Sequence, residues 1–296
     1  MSNAAVSPAR AWFRGADGAL GMRIHDAWHS LVPILGDTAY DETARLADRT
    51  LTATGLERLA QQLSSETLLS EAPELSVPVA HPGKILCLGK NYRAHAEEFG
   101  AEPPTEPMFF NKLPECLLAP GGTIELPPGV GRVDHEGELC LVIGAVGRDV
   151  TQSEATHLVA GLTLINDVTA RNLQSKDRER RFPWLRCKSF DTFGPCGPCV
   201  IPFEDAFDDV RSDGTPDLAI EVLVNGEVRQ SSRTSMLVHR IAPTLAFLSR
   251  HTTLRPGDLI ATGTPAGVSA LSPGDTVEVR CERIGSLVNQ VASRAI

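Results

Sequence analysis

Residues 133–139 read Val133-Asp134-His135-Glu136-Gly137-Glu138-Leu139, and they run straight into the apolar segment Leu139 to Ile143. A short apolar run of this kind suits a buried strand, which places the acidic residues at a strand start. Side chains two apart on a strand share a side, so Glu136 and Glu138 aim at one point. His135 then faces away from that point, as a supporting or packing residue. Two carboxylates so close repel each other unless a proton or a cation lies between them. A hard divalent cation takes oxygen ligands of this type. Asp167 offers a third carboxylate at the end of another apolar segment, Leu162 to Asn166. A bare Glu-x-Glu is most often a pair of solvated surface acids. The buried strands beside these three residues are what make them candidate metal ligands.

Outward from this stretch, Ile85-Leu86-Cys87-Leu88 and Leu162 to Ile165 also read as buried strands. Ala219 to Val224 alternates, and Asn225-Gly226 then turns the chain into a hairpin. Asp258 to Ala261 and Thr276 to Cys281 are further predicted strands. Met236 to Ser249 has helical spacing, with Pro243 at a first-turn position or a kink. Strands joined by Gly and Pro turns dominate, without the strand–helix alternation of a doubly wound dinucleotide fold.

The first 80 residues have a different texture. Arg14 to Leu35 reads as strand and turn, and Thr38 to Leu69 as two helical segments broken near Thr54-Gly55. A proline-bearing connection follows at Pro73, Pro78 and Pro82. The expected organisation is a small N-terminal domain over 1–80 and a catalytic domain over 81–296, in an α+β, strand-rich fold.

The formal net charge of -9 argues against general nucleic-acid binding, which needs clustered Lys and Arg. No apolar run is long enough to span a membrane. Met1 to Arg10 lacks the pattern of a secretion signal, so the expected compartment is the cytoplasm. Seven cysteines at irregular spacings suit reduced thiols better than a disulfide framework. Cys196-Gly197-Pro198-Cys199 has the Cys-x-x-Cys form, but Val200-Ile201-Pro202 after it continues as strand and turn. Thiol–disulfide chemistry favours the first cysteine at a helix N-terminus, so this pair reads as decoration of a structural loop.

Asn91 to Glu98 reads as the start of a short helix ended by Gly100. On it His95 and Glu98, three apart, share a face. A carboxylate beside an imidazole raises its basicity and fixes its tautomer, which suits the pair to take a proton from water. The proline-rich segment after Gly100 would let this helix act as a lid.

Five motifs in order resemble those of the fumarylacetoacetate hydrolase family, over about residues 84 to 290. They are Gly-Lys-Asn-Tyr-x-x-His at 89–95, Asp-His-Glu-Gly-Glu-Leu at 134–139, Asn-Asp-Val-Thr-Ala-Arg at 166–171, Lys-Ser-Phe-Asp-Thr-Phe-Gly-Pro at 188–195 and Thr-Gly-Thr-Pro-Ala-Gly-Val at 262–268. The resemblance implies a mixed-sheet β-roll, usually dimeric, with Glu136, Glu138 and Asp167 binding Mg²⁺ or Mn²⁺. It implies that His95 and Glu98 form a water-activating dyad and that Lys188 stabilises developing negative charge. Tyr92, Arg171, Gln174 and Thr264 fall where family members contact substrate, and Lys112 in a motif near the site. Two departures bear on the substrate: Asn172 stands where Asp is usual, and Lys112-Leu113-Pro114-Glu115 replaces a Lys-Pro-Ser run.

A small 2-oxo or β-diketo acid is the implied ligand. The implied reaction is hydrolysis of a carbon–carbon bond in an acylpyruvate-like compound through a metal-stabilised enolate. Decarboxylation of an oxaloacetate-like acid, or isomerisation of a 2-hydroxy-diene-dioate in aromatic catabolism, would use the same ligands.

Overall fold

The computed structural model describes residues 9–207 and 214–295. The first eight residues, part of the stretch examined for a secretion signal, lie outside them. The main sheet runs, in spatial order, Ala27–Ser30, Leu20–Ile24, Arg10–Arg14, Gly194–Pro202, Val159–Asn166, Gly137–Ile143, Leu259–Ala261, Ile85–Gly89 and Met108–Lys112. The short strand Leu117–Leu118 pairs with Gly194–Pro202 off this path. Most neighbours are antiparallel, but Leu259–Ala261 lies parallel to Ile85–Gly89, so the sheet is mixed. A second sheet orders Glu227–Arg233, Ala219–Val224, Thr276–Cys281, Gly285–Ser293 and Thr123–Leu126. The fold is α+β and strand-rich, as the sequence pattern implies.

The central strands Gly137–Ile143 and Val159–Asn166 are buried at every position. This explains why they read as continuous apolar runs rather than alternating ones. Their inner faces meet the second sheet through Ala219–Val224 and Thr276–Cys281. Gly137 sits at that contact. A Cβ there would lie 2.3 Å from Val222 Cγ2 and 3.0 Å from Val279 Cγ1. The second sheet therefore occupies the side opposite to Glu136 and Glu138, and only hydrogen fits between them.

The N-terminal hairpins extend the main sheet, with Trp12 opposite Val200. Trp12, Phe13 and Met22 share one continuous apolar core with Leu46, Leu51 and Leu56. Two helices, Glu42–Ala47 and Ala53–Ala60, occupy the expected region. The break lies at 48–52, before Thr54-Gly55, which are inside the second helix. Asp41 caps the first helix through the Ala44 N–H at 2.8 Å, a signal stronger than the glycine.

The helix expected from Met236 begins at Ile241 and runs to His251, which puts Pro243 in its first turn, where no N–H is required. Cys196 and Cys199 lie inside the strand Gly194–Pro202 rather than in a loop. Burial pushes both thiols up to about 12, which removes the reactive thiolate at neutral pH. All seven cysteines are free and buried. No helix among the described residues is long and apolar enough to cross a membrane.

Gly137→Ala forces a methyl group into the Val222–Val279 contact. It is expected to lower unfolding free energy by about 1–3 kcal/mol in urea denaturation; an unchanged midpoint would contradict the packing described.

Candidate active site

The end of the strand Gly137–Ile143, with the residue before it, meets the end of Val159–Asn166. Ile165 stands opposite Glu138, and Asn166 opposite Gly137. Asn166 Oδ1 accepts the Glu136 N–H at 2.9 Å, and the Asp167 N–H donates to the Glu136 carbonyl at 2.8 Å. These bonds fix the turn that brings the third carboxylate beside the first two. Oxygens of Glu136, Glu138 and Asp167 lie within 4.8 Å of one another, and all three residues are buried. The strand alternation thus delivers the convergence it implies.

Cations surround two of these three acids. Lys188 Nζ bridges Glu136 Oε2 at 2.8 Å and Asp167 Oδ2 at 2.6 Å. Lys112 Nζ donates to Asp167 Oδ1 at 2.8 Å and also to the Lys188 carbonyl. Arg171 binds Glu136 through Nη2 and Asp134 through Nε, the latter at 2.8 Å. Burial opposes the charge on Glu136, but Lys188 and then Arg171 overcome it and hold the carboxyl below its usual range. Burial likewise opposes the charge on Lys188, and Asp167 and Glu136 more than offset it, raising the ammonium above its usual value. Lys112 is raised for the same reason, by Asp167 against burial.

Glu138 is different. It accepts the Gly263 N–H at 2.6 Å and has no ion pair among the described residues. Burial, then the charges of Asp167 and Glu136, push its carboxyl well above the usual range. Gly263 holds φ +97 against Asn91, whose Cβ lies 2.8 Å from where its own would be, so glycine alone supplies this donor. A buried acid with two acidic neighbours and no cation of its own is where a hard divalent ion fits. The all-oxygen donor set suits Mg²⁺ or Mn²⁺.

These groups open on a cavity of about 130 Å³ lined by Glu136, Glu138, Arg171, Gln174, Lys188, Thr264 and His95, among others. Asp167 is not part of the lining but is bonded to Lys188, which is. His95 Nδ1 lies 3.2 Å from Glu98 Oε2. The short helix Arg93–Glu98 is held over the cavity at both ends. The Asn91 side chain is bonded to main-chain atoms of His239 and Thr262, and the Gly267 N–H donates to Glu98 Oε1 at 3.2 Å. Phe99 packs edge-on to His95 and beneath the Arg171 guanidinium. Burial lowers the His95 pKa, against the opposing pull of Glu136 and Glu98.

Tyr92 is not brought to the cavity wall. It is buried at the start of the 93–98 helix, and its hydroxyl is raised by burial and then by Glu138. Thr264 is in the wall, but its hydroxyl is committed, donating to the Gly137 carbonyl at 3.0 Å and accepting from Gln230 Nε2 at 2.7 Å. Gln230 was not singled out from the sequence. Its Oε1 meets His135 Nδ1 and the Gly137 N–H, and His135 Nε2 meets Ser269 Oγ. This buried network ties the 262–269 loop to the acidic strand from the side opposite to the cavity, where alternation places His135. Phe110 and Trp184 carry no signal in the sequence, since they meet from positions far apart along the chain; Asp134 lies in the 134–139 motif, but its bond to Arg171, 37 residues on, is not signalled by any local pattern.

Residues 84–292 match the family model described as fumarylacetoacetate (FAA) hydrolase C-terminal. The chain belongs to the fumarylacetoacetate hydrolase family. Among relatives, the mitochondrial oxaloacetate tautomerase Fahd2a of Rattus norvegicus is 36% identical over 221 residues, 72% of this chain and 68% of that one. A crystal structure of 2-hydroxyhepta-2,4-diene-1,7-dioate isomerase from Mycobacterium marinum is 37% identical. It covers 75% of this chain and 79% of that one, with a TM-score of 0.65. Maleylpyruvate hydrolase from Sphingobium sp. SYK-6, solved with manganese(II) and pyruvate, is 27% identical. It covers 96% of this chain and 100% of that one, with a TM-score of 0.79. The last match includes the N-terminal region. Membership in a family of enzymes acting on small acids supports catalytic activity.

Two outcomes are expected. Mn²⁺ or Mg²⁺ should raise the thermal midpoint of chelator-treated protein, since a ligand of the folded state alone stabilises it by mass action, and Glu138→Ala should abolish the rise. Lys112→Met removes a donor from Asp167 and from the Lys188 carbonyl. In urea denaturation it should cost about 3–5 kcal/mol, as breaking a buried ion pair does.

Proposed function

We propose that this chain catalyses divalent-metal-dependent hydrolysis of a carbon–carbon bond in an acylpyruvate-like or β-diketo acid. The observation that carries this reading is a buried His95, paired with Glu98, in the wall of the cavity that also holds Glu136, Glu138 and Lys188. A Mg²⁺ or Mn²⁺ ion held by Glu136, Glu138 and Asp167 would supply Lewis-acid stabilisation of negative charge on a 2-oxo acid.

The chain's own residues do the rest. Glu98 only accepts, so Nδ1 carries the proton and Nε2 is the basic atom. Nε2 takes a proton from water as its oxygen adds to the distal carbonyl. The adjacent carbon–carbon bond then breaks to leave a carboxylic acid and the enolate of the 2-oxo acid, whose carbon receives the proton back from Nε2. Lys188 offers an ammonium beside the developing enolate. Arg171 lines the cavity with its Nη1 donating to Gln174 Oε1 at 2.7 Å, and its remaining N–H groups would meet the substrate carboxylate. The Thr264 main-chain N–H, without a partner among the described residues, is a further donor. The working form is proposed to be a cytoplasmic homodimer.

Proton transfer alone is the second reading, favoured by the oxaloacetate tautomerase and diene-dioate isomerase at 36% and 37% identity. There His95 and Glu98 shuttle a proton, and no water adds; loss of carbon dioxide from an oxaloacetate-like acid is a third outcome of the same ligand set.

Incubating metal-loaded protein with oxaloacetate, acetylpyruvate and fumarylpyruvate, and following pyruvate, separates these readings. Hydrolysis predicts metal-dependent pyruvate from an acylpyruvate, and a fall of about 10²–10⁴ in His95→Ala. Full-rate hydrolysis in that variant would overturn the dyad. Because His95 works unprotonated and burial lowers its pKa, kcat/KM should stay level at neutral pH. It should fall on the acid side with a midpoint below the usual imidazole value of about 6.5; a midpoint above it would contradict the assignment.

A further inference from the structure

The strand Glu227–Arg233 lies at the edge of the second sheet, and Gln230 is its one fully buried residue. In its pairing with Ala219–Val224, Gln230 stands opposite Val222 and Val228 opposite Leu223, so Arg229 is an extra residue. A bulge of this kind bends the strand and re-aims the side chains beside it. Burying an amide is costly unless its polar atoms are paired, and Gln230 pairs both. Its Oε1 accepts from the Gly137 N–H at 3.2 Å and from His135 Nδ1 at 3.0 Å. Its Nε2 donates to Thr264 Oγ1 at 2.7 Å and to the Pro265 carbonyl at 2.6 Å. The first two bonds hold the acidic strand, and the last two hold the 262–269 loop.

The loop also rests on the bulge itself. A Cβ at Gly267 would stand 2.0 Å from the Arg229 carbonyl oxygen. From this seat the loop reaches both halves of the site. The Gly263 N–H donates to Glu138 at 2.6 Å, and the Gly267 N–H donates to Glu98 at 3.2 Å. Thr264, between them, is in the cavity wall. Gln230 is not part of that wall, so any effect it has on the site passes through the loop and the acidic strand.

We propose that Gln230 is a positioning residue, which through the 262–269 loop sets the place of Glu138 and Glu98 together. This rests on the metal-site reading given above and goes beyond it, because Gln230 belongs to the second sheet and bonds to neither carboxylate. Releasing the loop from the bulged strand moves two donors at once, one from a candidate metal ligand and one from the dyad. Partners that orient a ligand from outside its coordination sphere typically change metal affinity by about 10- to 100-fold when removed.

Two measurements without turnover test this, on chelator-treated protein held well below its melting temperature. Gln230→Met keeps the length of the side chain and removes all four bonds. Gly267→Ala displaces the loop from the Arg229 carbonyl with Gln230 intact, and serves where the first variant does not fold. Leu46→Ala, in the core of the N-terminal hairpins, loses stability through burial alone and is the control. In calorimetric titration, the first two variants should bind Mn²⁺ about 10- to 100-fold more weakly than wild type, and Leu46→Ala should bind it equally. In hydrogen exchange, the Gly263 and Gly267 amides should exchange faster in the first two variants, while those of Gly137–Ile143 stay protected. Unchanged affinity and exchange in a folded variant would overturn the proposal, as would an equal loss of affinity in Leu46→Ala. If the wild type binds no Mn²⁺, the metal-site reading fails, and the exchange of Gly263 and Gly267 decides the role of Gln230 by itself.

Discussion

Four carboxylates, those of Asp134, Glu136, Glu138 and Asp167, are buried together where the short strand Val133–Asp134 adjoins the ends of two central strands. Taking one charge out of water costs several kcal/mol, and four adjacent ones are tolerable only if each is compensated. Arg171 and Arg132 answer Asp134, Arg171 and Lys188 answer Glu136, and Lys188 and Lys112 answer Asp167. Glu138 has a main-chain N–H in place of a cation. Four cations balance four acids in sum, but none pairs with Glu138 among the described residues, so that carboxyl is the place for a proton or an added cation.

The surrounding fold keeps this arrangement rigid. Gly137 lets the second sheet press against the acidic strand from behind. Gln230 reaches from that sheet to the same strand and to the 264–265 turn, so one side chain joins three elements. The helix carrying His95 and Glu98 hangs from Asn91 at one end and the Gly267 N–H at the other. Each candidate catalytic group is thereby held by a neighbour whose own geometry is fixed, which a site of sub-ångström tolerance requires.

Much of this is legible in the sequence where geometry is local. The two-residue strand period puts Glu136 and Glu138 on one side, and the helical period pairs His95 with Glu98. Buried strands such as 139–143 show as apolar runs because both faces are covered. What the sequence conceals is which faces meet. Lys112 finds Asp167 from 55 residues away and Gln230 finds His135 from 95, and neither spacing is a period of any element. Tyr92 has the family's motif around it, yet the bend into the 93–98 helix buries it away from the cavity wall. Element ends also escape local reading: Gly55 looks like a break but lies within a helix begun after Thr52.

The central claim is that Glu136, Glu138 and Asp167 hold one divalent cation beside Lys188. Anomalous diffraction from crystals grown with Mn²⁺ tests it most directly. The account predicts a single strong peak within bonding distance of an oxygen from each of the three carboxylates, with the Lys188 ammonium beside it. A Mn²⁺ peak bound elsewhere, with Glu138 still bonded only to the Gly263 N–H, would contradict it.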